Sequence, residues 1–493
     1  MRYINYLEYL NLKNNKNSLL LKYKIFKNNK LFLKDKLSKE LVINNNKLDL
    51  DQKKSIFIHE ENMLILAGAG SGKTLTILGK IDYLVNELHI KPEEILCISY
   101  TNKTVSELKD KTKYNIDIFT FHKLALEIIK DYNYYSLVST DYLSYIIDEV
   151  FLSICNNIDL SMLKSINNEI TSFINVFKVN EYKLEYLDKL IKKNKDLILK
   201  VIKKIFILYE EELFSTRSID LNDSISMATT LIRNRGLKRY YRCIIIDEFQ
   251  DISISRYNLV SEIKNACNSH LFAVGDDYQS IYKFTGSKLD LIVNFKKYFK
   301  HAKVIRLNKV YRNSNELIKT ASTFIMKNKN QLRKNMKSDK SIKRPIKIIY
   351  YKKNMGIKLK KILEQGNYLI LGRNTYDINY VLDDEIKLVD NIVKFKNKES
   401  IYMTMHKSKG LESDNVIIIN LSNSSFPSIE RKSVTNLLLK KDKYLFEEER
   451  RLFYVALTRT KNYVYLFVDK DNPSIFVKEL LLRSRKYIEI LDV

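Results

Sequence analysis

Residues 64–74 read Leu-Ile-Leu-Ala-Gly-Ala-Gly-Ser-Gly-Lys-Thr. An apolar run of strand character enters a glycine-rich loop that closes on Lys73 and Thr74, and a helix-forming stretch, 75–84, follows. A loop of this kind turns its backbone N–H groups inward around a polyphosphate. Lys73 reaches the β- and γ-phosphates, and the Thr74 hydroxyl holds Mg²⁺. Ala67 stands where the strict pattern has Gly, and a residue this small still fits. Gly68, Gly70 and Gly72, alternating with Ala69 and Ser71, supply the backbone freedom. The strand before the loop and the helix after it argue against a glycine loop of merely structural role.

The chain has 493 residues, enough for two or three domains with substantial cores. Its net charge of +27 favours a polyanionic partner, although heavy use of Lys, Asn and Ile also fits a compositional bias. Cys97, Cys155, Cys243 and Cys267 lack paired spacing, so neither a disulfide framework nor a zinc site is indicated. Cys97 and Cys243 lie in apolar runs and read as buried thiols, as the reducing cytosol allows. No apolar run reaches the ~18 residues of a membrane span, and the N-terminus lacks a signal-peptide core. A cytoplasmic protein without a membrane partner is expected.

Apolar runs bounded by turn signals predict strands at 63–67, 95–99, 116–119, 242–246, 271–275, 303–307, 346–350, 368–371, 415–420 and 463–468. Most are continuous rather than alternating, as in strands covered on both faces, and helical patterns separate them. The expectation is an α/β protein with two parallel-sheet cores. Residues 47–122 and 241–295 form the first and residues 296–493 the second. A helical insertion, 123–240, splits the first, and residues 1–46 read as a basic, loosely packed extension.

A second strong signal is Ile244-Ile245-Ile246-Asp247-Glu248-Phe249-Gln250-Asp251. A buried strand ends in two carboxylates. Asp247 at its tip can bind Mg²⁺ through water, and Glu248 can take a proton from an attacking water. A third is Val274-Gly275-Asp276-Asp277-Tyr278-Gln279-Ser280-Ile281-Tyr282-Lys283-Phe284-Thr285-Gly286, where two aspartates and Gln279 follow a buried strand and can meet a γ-phosphate. A helical segment, 448–459, sets Arg451, Val455 and Arg459 near one face, with Arg450 a candidate for a solvated surface arginine. His406 has no neighbouring His or Cys to make a metal site.

Together and in this order, these motifs resemble the superfamily 1 DNA helicases of the UvrD/Rep group, most of all the helicase IV branch, over roughly residues 45–480. The resemblance implies two RecA-like P-loop cores that use ATP and Mg²⁺. Gln52 would clamp adenine, Tyr311 would stack on it, and Glu412 would bind ribose. Gln279, Arg312 and Arg459 would sense the γ-phosphate. Tyr100, Thr101 and Asn102, then Thr120 and His122, resemble elements touching single-stranded DNA. Tyr282 and Phe284 lie in another, with Phe284 where the family has a base-stacking Trp; this chain has no Trp. Thr404 and His406 would also face DNA. Val310 departs from the usual Asn of its motif, and Asp220-Leu221-Asn222-Asp223 resembles the segment that closes the helical insertion.

By this likeness the chain would be an ATP-dependent 3′-to-5′ DNA helicase or translocase acting on single-stranded or partly duplex DNA. One departure matters. About 30 residues separate Arg373 from Met403, where UvrD and Rep carry a large mobile subdomain. That subdomain is expected to be missing or vestigial, which favours a single-strand translocase over a processive unwinding enzyme. The alternatives are a catalytically idle single-stranded DNA-binding subunit of a larger repair or defence complex, and an RNA-directed remodeller. A nuclease fusion is not expected, because no carboxylate cluster follows the final motif and little of this sequence remains there.

Overall fold

The computed structural model describes residues 3–13, 18–132, 135–154, 159–428, 433–440 and 442–492. Every strand expected from an apolar run is present, with ends shifted by three residues at most. The first sheet contains β1 (Asn62–Ala67), β2 (Ile95–Ser99), β3 (Asp117–Thr120), β4 (Cys243–Ile246), β5 (His270–Gly275) and β6 (Ala302–Leu307). Their order is β6-β1-β5-β4-β2-β3, all parallel. The continuous apolar runs follow from this geometry, because β1, β2 and β4 are buried along their whole length. Alternate residues serve opposite faces. Leu64, Leu66, Ile244 and Ile246 pack on one side, and Met63, Ile65, Cys243 and Ile245 on the other. The chain leaves β1 on one side and returns on the other, so the loops after β1, β4 and β5 open into one crevice at the carboxyl ends of the strands.

Three expected boundaries move. Strand β6 pairs with β1 and completes the first sheet, so the first core runs past residue 296 to at least Leu307. Apolar runs identify a strand, but only its hydrogen-bonding neighbour assigns it to a sheet. The helical insertion is shorter than 123–240. Helices Phe121–Lys130 and Leu221–Arg235 bury Leu124, Ile128, Ile225 and Ala228 against the first sheet. The helices with a core of their own lie between Tyr142 and Ser215, above a neck where Ser136–Leu137 pairs with Ser218–Ile219. The N-terminal extension is not loose throughout, because Phe32 and Ile43 are buried in the first core and Tyr3 Oη donates to Glu60 at 2.7 Å. Cys97, Cys243 and Cys267 are buried free thiols; Cys155 lies outside the described residues.

The second sheet contains β7 (Ile346–Tyr351), β8 (Leu369–Gly372), β9 (Ile386–Val389), β10 (Ile392–Phe395), β11 (Lys398–Thr404), β12 (Ser413–Leu421), β13 (Thr460–Asp469) and β14 (Ile488–Leu491). Its order is β9-β10-β11-β8-β12-β13-β7-β14. The strands from β11 to β14 in that order are parallel, whereas β9 and β10 add an antiparallel hairpin at one edge. This hairpin occupies the stretch between Arg373 and Met403. Its turn, Asp390-Asn391, holds φ values of 48° and 66°, which match the twist of paired strands.

The two cores also meet away from the crevice. After β12, the segment 433–440 reaches the helical insertion, and Val434 and Leu438 join its buried core. Val434 N donates to Glu169 Oε1 at 2.7 Å, and Tyr182 Oη donates to Leu438 O at 3.2 Å. Among the described residues no helix is long and apolar enough to cross a membrane. The first core's dependence on its central strands gives one expectation. Ile245→Ala, at a fully buried β4 position, should cost about 2–5 kcal/mol, read as a lower guanidinium midpoint for the first unfolding transition.

Candidate nucleotide cleft and nucleic-acid groove

The loop after β1 has the shape that its sequence requires. Gly70 and Gly72 adopt φ of 70° and 78°, the left-handed region. A Cβ on Gly70 would sit 2.5 Å from Arg312 Cβ, and one on Gly72 2.4 Å from Gln52 Nε2. Helix Lys73–Asn86 begins on Gly72 with no side-chain cap, which leaves its first N–H groups facing the cleft. Those donors fit an anion, and no other residue type would let the backbone come so close. Ala67 and Gly68 do not line the cleft: Ala67 is the buried end of β1, and Gly68 backs onto Met336.

Gln52 is fully buried and fixed from both ends. Its Oε1 accepts from Asp49 N at 3.0 Å, and its Nε2 donates to Ser71 O at 3.3 Å. Asp49 in turn caps helix Leu50–Phe57 and accepts from Tyr311 Oη at 2.7 Å. Gln52 and Tyr311 therefore stand together beside the phosphate loop, with Tyr311 half exposed.

Strand β4 delivers Asp247, and Glu248 follows with a left-handed φ of 52°. Lys73 Nζ donates to Glu248 Oε1 at 2.7 Å. Burial raises the Glu248 carboxyl, but the Lys73 and Lys409 ammonium groups outweigh it and hold the group at about 2. Burial also raises Asp247, and the neighbouring Glu248 carboxylate adds to the rise. Gln250 bridges Glu248 to the next motif: its amide donates to Glu248, and its Oε1 accepts from Asp276 N at 2.8 Å. Gln279 Nε2 donates to Asp276 Oδ2 at 2.6 Å.

The second core closes the opposite wall. Arg459, 1% exposed, follows helix Glu447–Leu457. Its Nη2 donates to Gln279 Oε1 at 3.1 Å and its Nη1 to Leu411 O at 3.1 Å. Arg312 lies on the connection between the cores and donates to Glu412 Oε2 at 2.7 Å. Lys409 crosses from the second core to Asp251 Oδ2 at 2.5 Å and Gln279 O at 2.9 Å. Lys73, Thr74, Asp247, Glu248, Gln279, Arg312, Glu412 and Arg459 thus line one cleft of about 1000 Å³. Lys409 and Gln250 carry no expectation from sequence; Gln250 lies inside the 244–251 motif, and Lys409 lies between His406 and Glu412. Arg450 is not solvated; it is buried and donates to Glu479 Oε2 at 2.6 Å.

A second groove, about 1850 Å³, runs beside the cleft and is lined by Tyr282, Phe284, Thr404 and His406. Its aromatic groups are mutually ordered. Tyr100 stacks on Tyr282 with centroids 5.8 Å apart, and Phe284 meets His406 edge-on at 5.7 Å. Phe284 is 48% exposed. Burial, then Arg373, pulls His406 down to about 4, and burial, then Arg256, does the same to His122. Both imidazoles are therefore neutral at pH 7. Tyr100 and Thr101 line the nucleotide cleft. Asn102, Thr120 and His122 line neither cavity. Thr101 and Thr120 instead cap helices Asn102–Lys111 and Phe121–Lys130.

Two parallel-sheet cores that complete one phosphate cleft between them define a P-loop protein of the two-lobed, RecA-like class. Residues 48–300 match the UvrD/REP helicase N-terminal domain, and residues 378–471 the UvrD-like helicase C-terminal domain. The chain is 30% identical to the ATP-dependent DNA helicase Rep of Buchnera aphidicola subsp. Acyrthosiphon pisum, with 89% of this chain and 72% of that protein covered. It is 26% identical to DNA helicase IV of Escherichia coli, over 87% and 69%. With the ATP-dependent DNA helicase PcrA of Bacillus subtilis it shares 29% identity over 61% and 42%. The chain belongs to the UvrD/Rep helicase family.

The Lys73–Glu248 pair has a pH signature. Glu248 is held below its ordinary 4.5, so the pair adds stability above that pH and loses it as pH falls toward about 2. Lys73→Met should therefore lower the denaturation midpoint at pH 7, and the gap from wild type should narrow between pH 4.5 and pH 2. A gap that stays constant across that window would exclude the pairing as its source.

Proposed function

We propose that this chain is an ATP hydrolase that moves along single-stranded DNA, 3′ to 5′. The observation that carries the reading is the contact of Arg459 on one lobe with Gln279 on the other, in the cleft that holds Lys73 and Glu248. Neither lobe alone has the full set of charges. The direction of movement rests on family likeness.

In this reading the phosphate loop and Lys73 bind the triphosphate, Gln52 and Tyr311 hold the base, and Glu412 holds the ribose. Mg²⁺, held by Thr74 and Asp247, would neutralise phosphate charge when bound. Glu248 is ionised while Lys73 pairs with it, and transfer of Lys73 to the triphosphate would raise its proton affinity toward what a general base for the attacking water needs. Arg312 and Arg459 stabilise the charge that develops on the transferred phosphoryl group, a role worth ~10³–10⁵ in rate for arginines of this kind. Nucleotide binding draws the lobes together, and loss of the γ-phosphate lets them part. Tyr100, Tyr282, Phe284, Thr404 and His406 hold successive nucleotides while basic residues follow the phosphates. Thr101, Asn102, Thr120 and His122 lie outside the groove of Phe284 and His406 and take no part in the proposed contact. The net charge of +27 supports this partner.

ATP turnover should rise on adding single-stranded DNA, and Glu248→Gln should lower it by about 10²–10⁴-fold. Turnover no higher than that of Lys73→Ala would instead leave an idle DNA-binding subunit. Phe284→Ala should weaken single-strand binding by ~1–3 kcal/mol, measured by fluorescence anisotropy, with RNA oligonucleotides as competitors. Strand displacement by the monomer then separates unwinding from translocation.

A further inference from the structure

The connection between the two cores carries a lysine that the cleft itself never exposes. Lys334 is 9% exposed as a residue, with its side chain at 1%. Its Nζ forms ion pairs with both Asp276 and Asp277, the latter at 2.5 Å, and lies 3.7 Å from the Tyr278 ring centroid. Both aspartates are fully buried. The segment carrying Lys334 is anchored on each side. Asn328 and Asn330 donate to Glu447 O and Oε1, at 2.9 and 3.0 Å, on the helix that leads to Arg459. Gln331 Nε2 and Leu332 N donate to Asp277 O and Oδ2, each at 2.8 Å.

Asp276 is the junction of the cleft's polar network. Its N–H donates to Gln250, which in turn donates to Glu248. Its Oδ1 accepts from Tyr278 N and Lys334, and its Oδ2 from Gln279 Nε2. An ionised carboxylate only accepts and a guanidinium only donates. The Gln279 amide can therefore face one way only, NH₂ toward Asp276 and carbonyl oxygen toward Arg459. A displaced Asp276 removes that constraint. Two buried carboxylates this close need a compensating cation, and Lys334 is the ammonium placed on both.

We infer that Lys334 is a positioning residue that, through Asp276, fixes the Gln279 carboxamide so that its oxygen meets Arg459. The inference rests on the reading of the cleft as an ATP-hydrolysing site. It makes the connection between the cores part of the γ-phosphate sensor, although no atom of Lys334 faces the cleft.

The test uses the full chain. Lys334→Met should lower kcat for DNA-stimulated ATP turnover by about 10²-fold, the cost of a displaced group, and leave KM for ATP within about threefold. Lys334→Arg should recover much of the loss. Where Lys334→Met does not fold, Lys334→Met with Asp277→Asn keeps the buried cluster at its original net charge, and the same kcat loss is expected. A folded variant with near-native kcat, or one altered only in KM, would overturn the inference. A readout independent of turnover is a thermal double-mutant cycle. Combined with Gln279→Leu, the lysine variant should lower Tm by less than the sum of the two single shifts, and strict additivity would also overturn the inference. A wild-type chain without DNA-stimulated turnover would sink the proposed function, while the cycle would still decide the role of Lys334.

Discussion

Arg459 donating to Gln279 across the space between two sheets is the contact on which the rest of the arrangement depends. A guanidinium this deeply buried is tolerated only where acceptors surround it. Val455 O, Leu411 O and Gln279 Oε1 supply them, the last from the opposite lobe. Separating the lobes leaves Arg459 Nη2 with only the longer contact to Thr458 Oγ1, at 3.4 Å. The same interface carries Lys409 to Asp251 and Arg451 Nε to Ser280 O at 2.6 Å. The cleft is therefore polar and charge-rich, held by directional bonds that discriminate sharply between seated and unseated geometries.

The first core supplies the complementary half through plain sheet geometry. Strands β1, β4 and β5 lie side by side at the centre of the sheet, so their terminal loops converge. The phosphate loop, the Asp247-Glu248 pair and the Asp276–Gln279 turn need no further device to meet. Glycine at 70 and 72 then sets how near Arg312 and Gln52 can come.

Much of this was legible in the sequence because it depends on local signals. Continuous apolar runs marked the strands, and the phosphate loop, the Asp247-Glu248 pair and the Asp276–Gln279 turn each follow a strand's carboxyl end. Pairing was less legible. Strand β6 reads like any other apolar run, and nothing in its residues says that its neighbour is β1. The helices 121–130 and 221–235 look like the insertion they flank, because Leu and Ile packing on a sheet and on other helices have the same periodicity. The β9–β10 hairpin had a signal, Asp390-Asn391 between apolar pairs, that was not read. Lys334 had none, since it lies among many lysines and only burial distinguishes it.

The segment 433–440 ties the second lobe to the helical insertion at a point remote from ATP chemistry. Val434 and Leu438 lodge among the insertion's aliphatic and aromatic side chains. Withdrawing two such groups into water costs about 3–6 kcal/mol at ~1.5–3 kcal/mol each. The detached arrangement would then hold roughly one molecule in 10²–10⁴, so wide gaping of the lobes is a rare excursion. The lobe movement proposed above would then be a small one that leaves this contact in place.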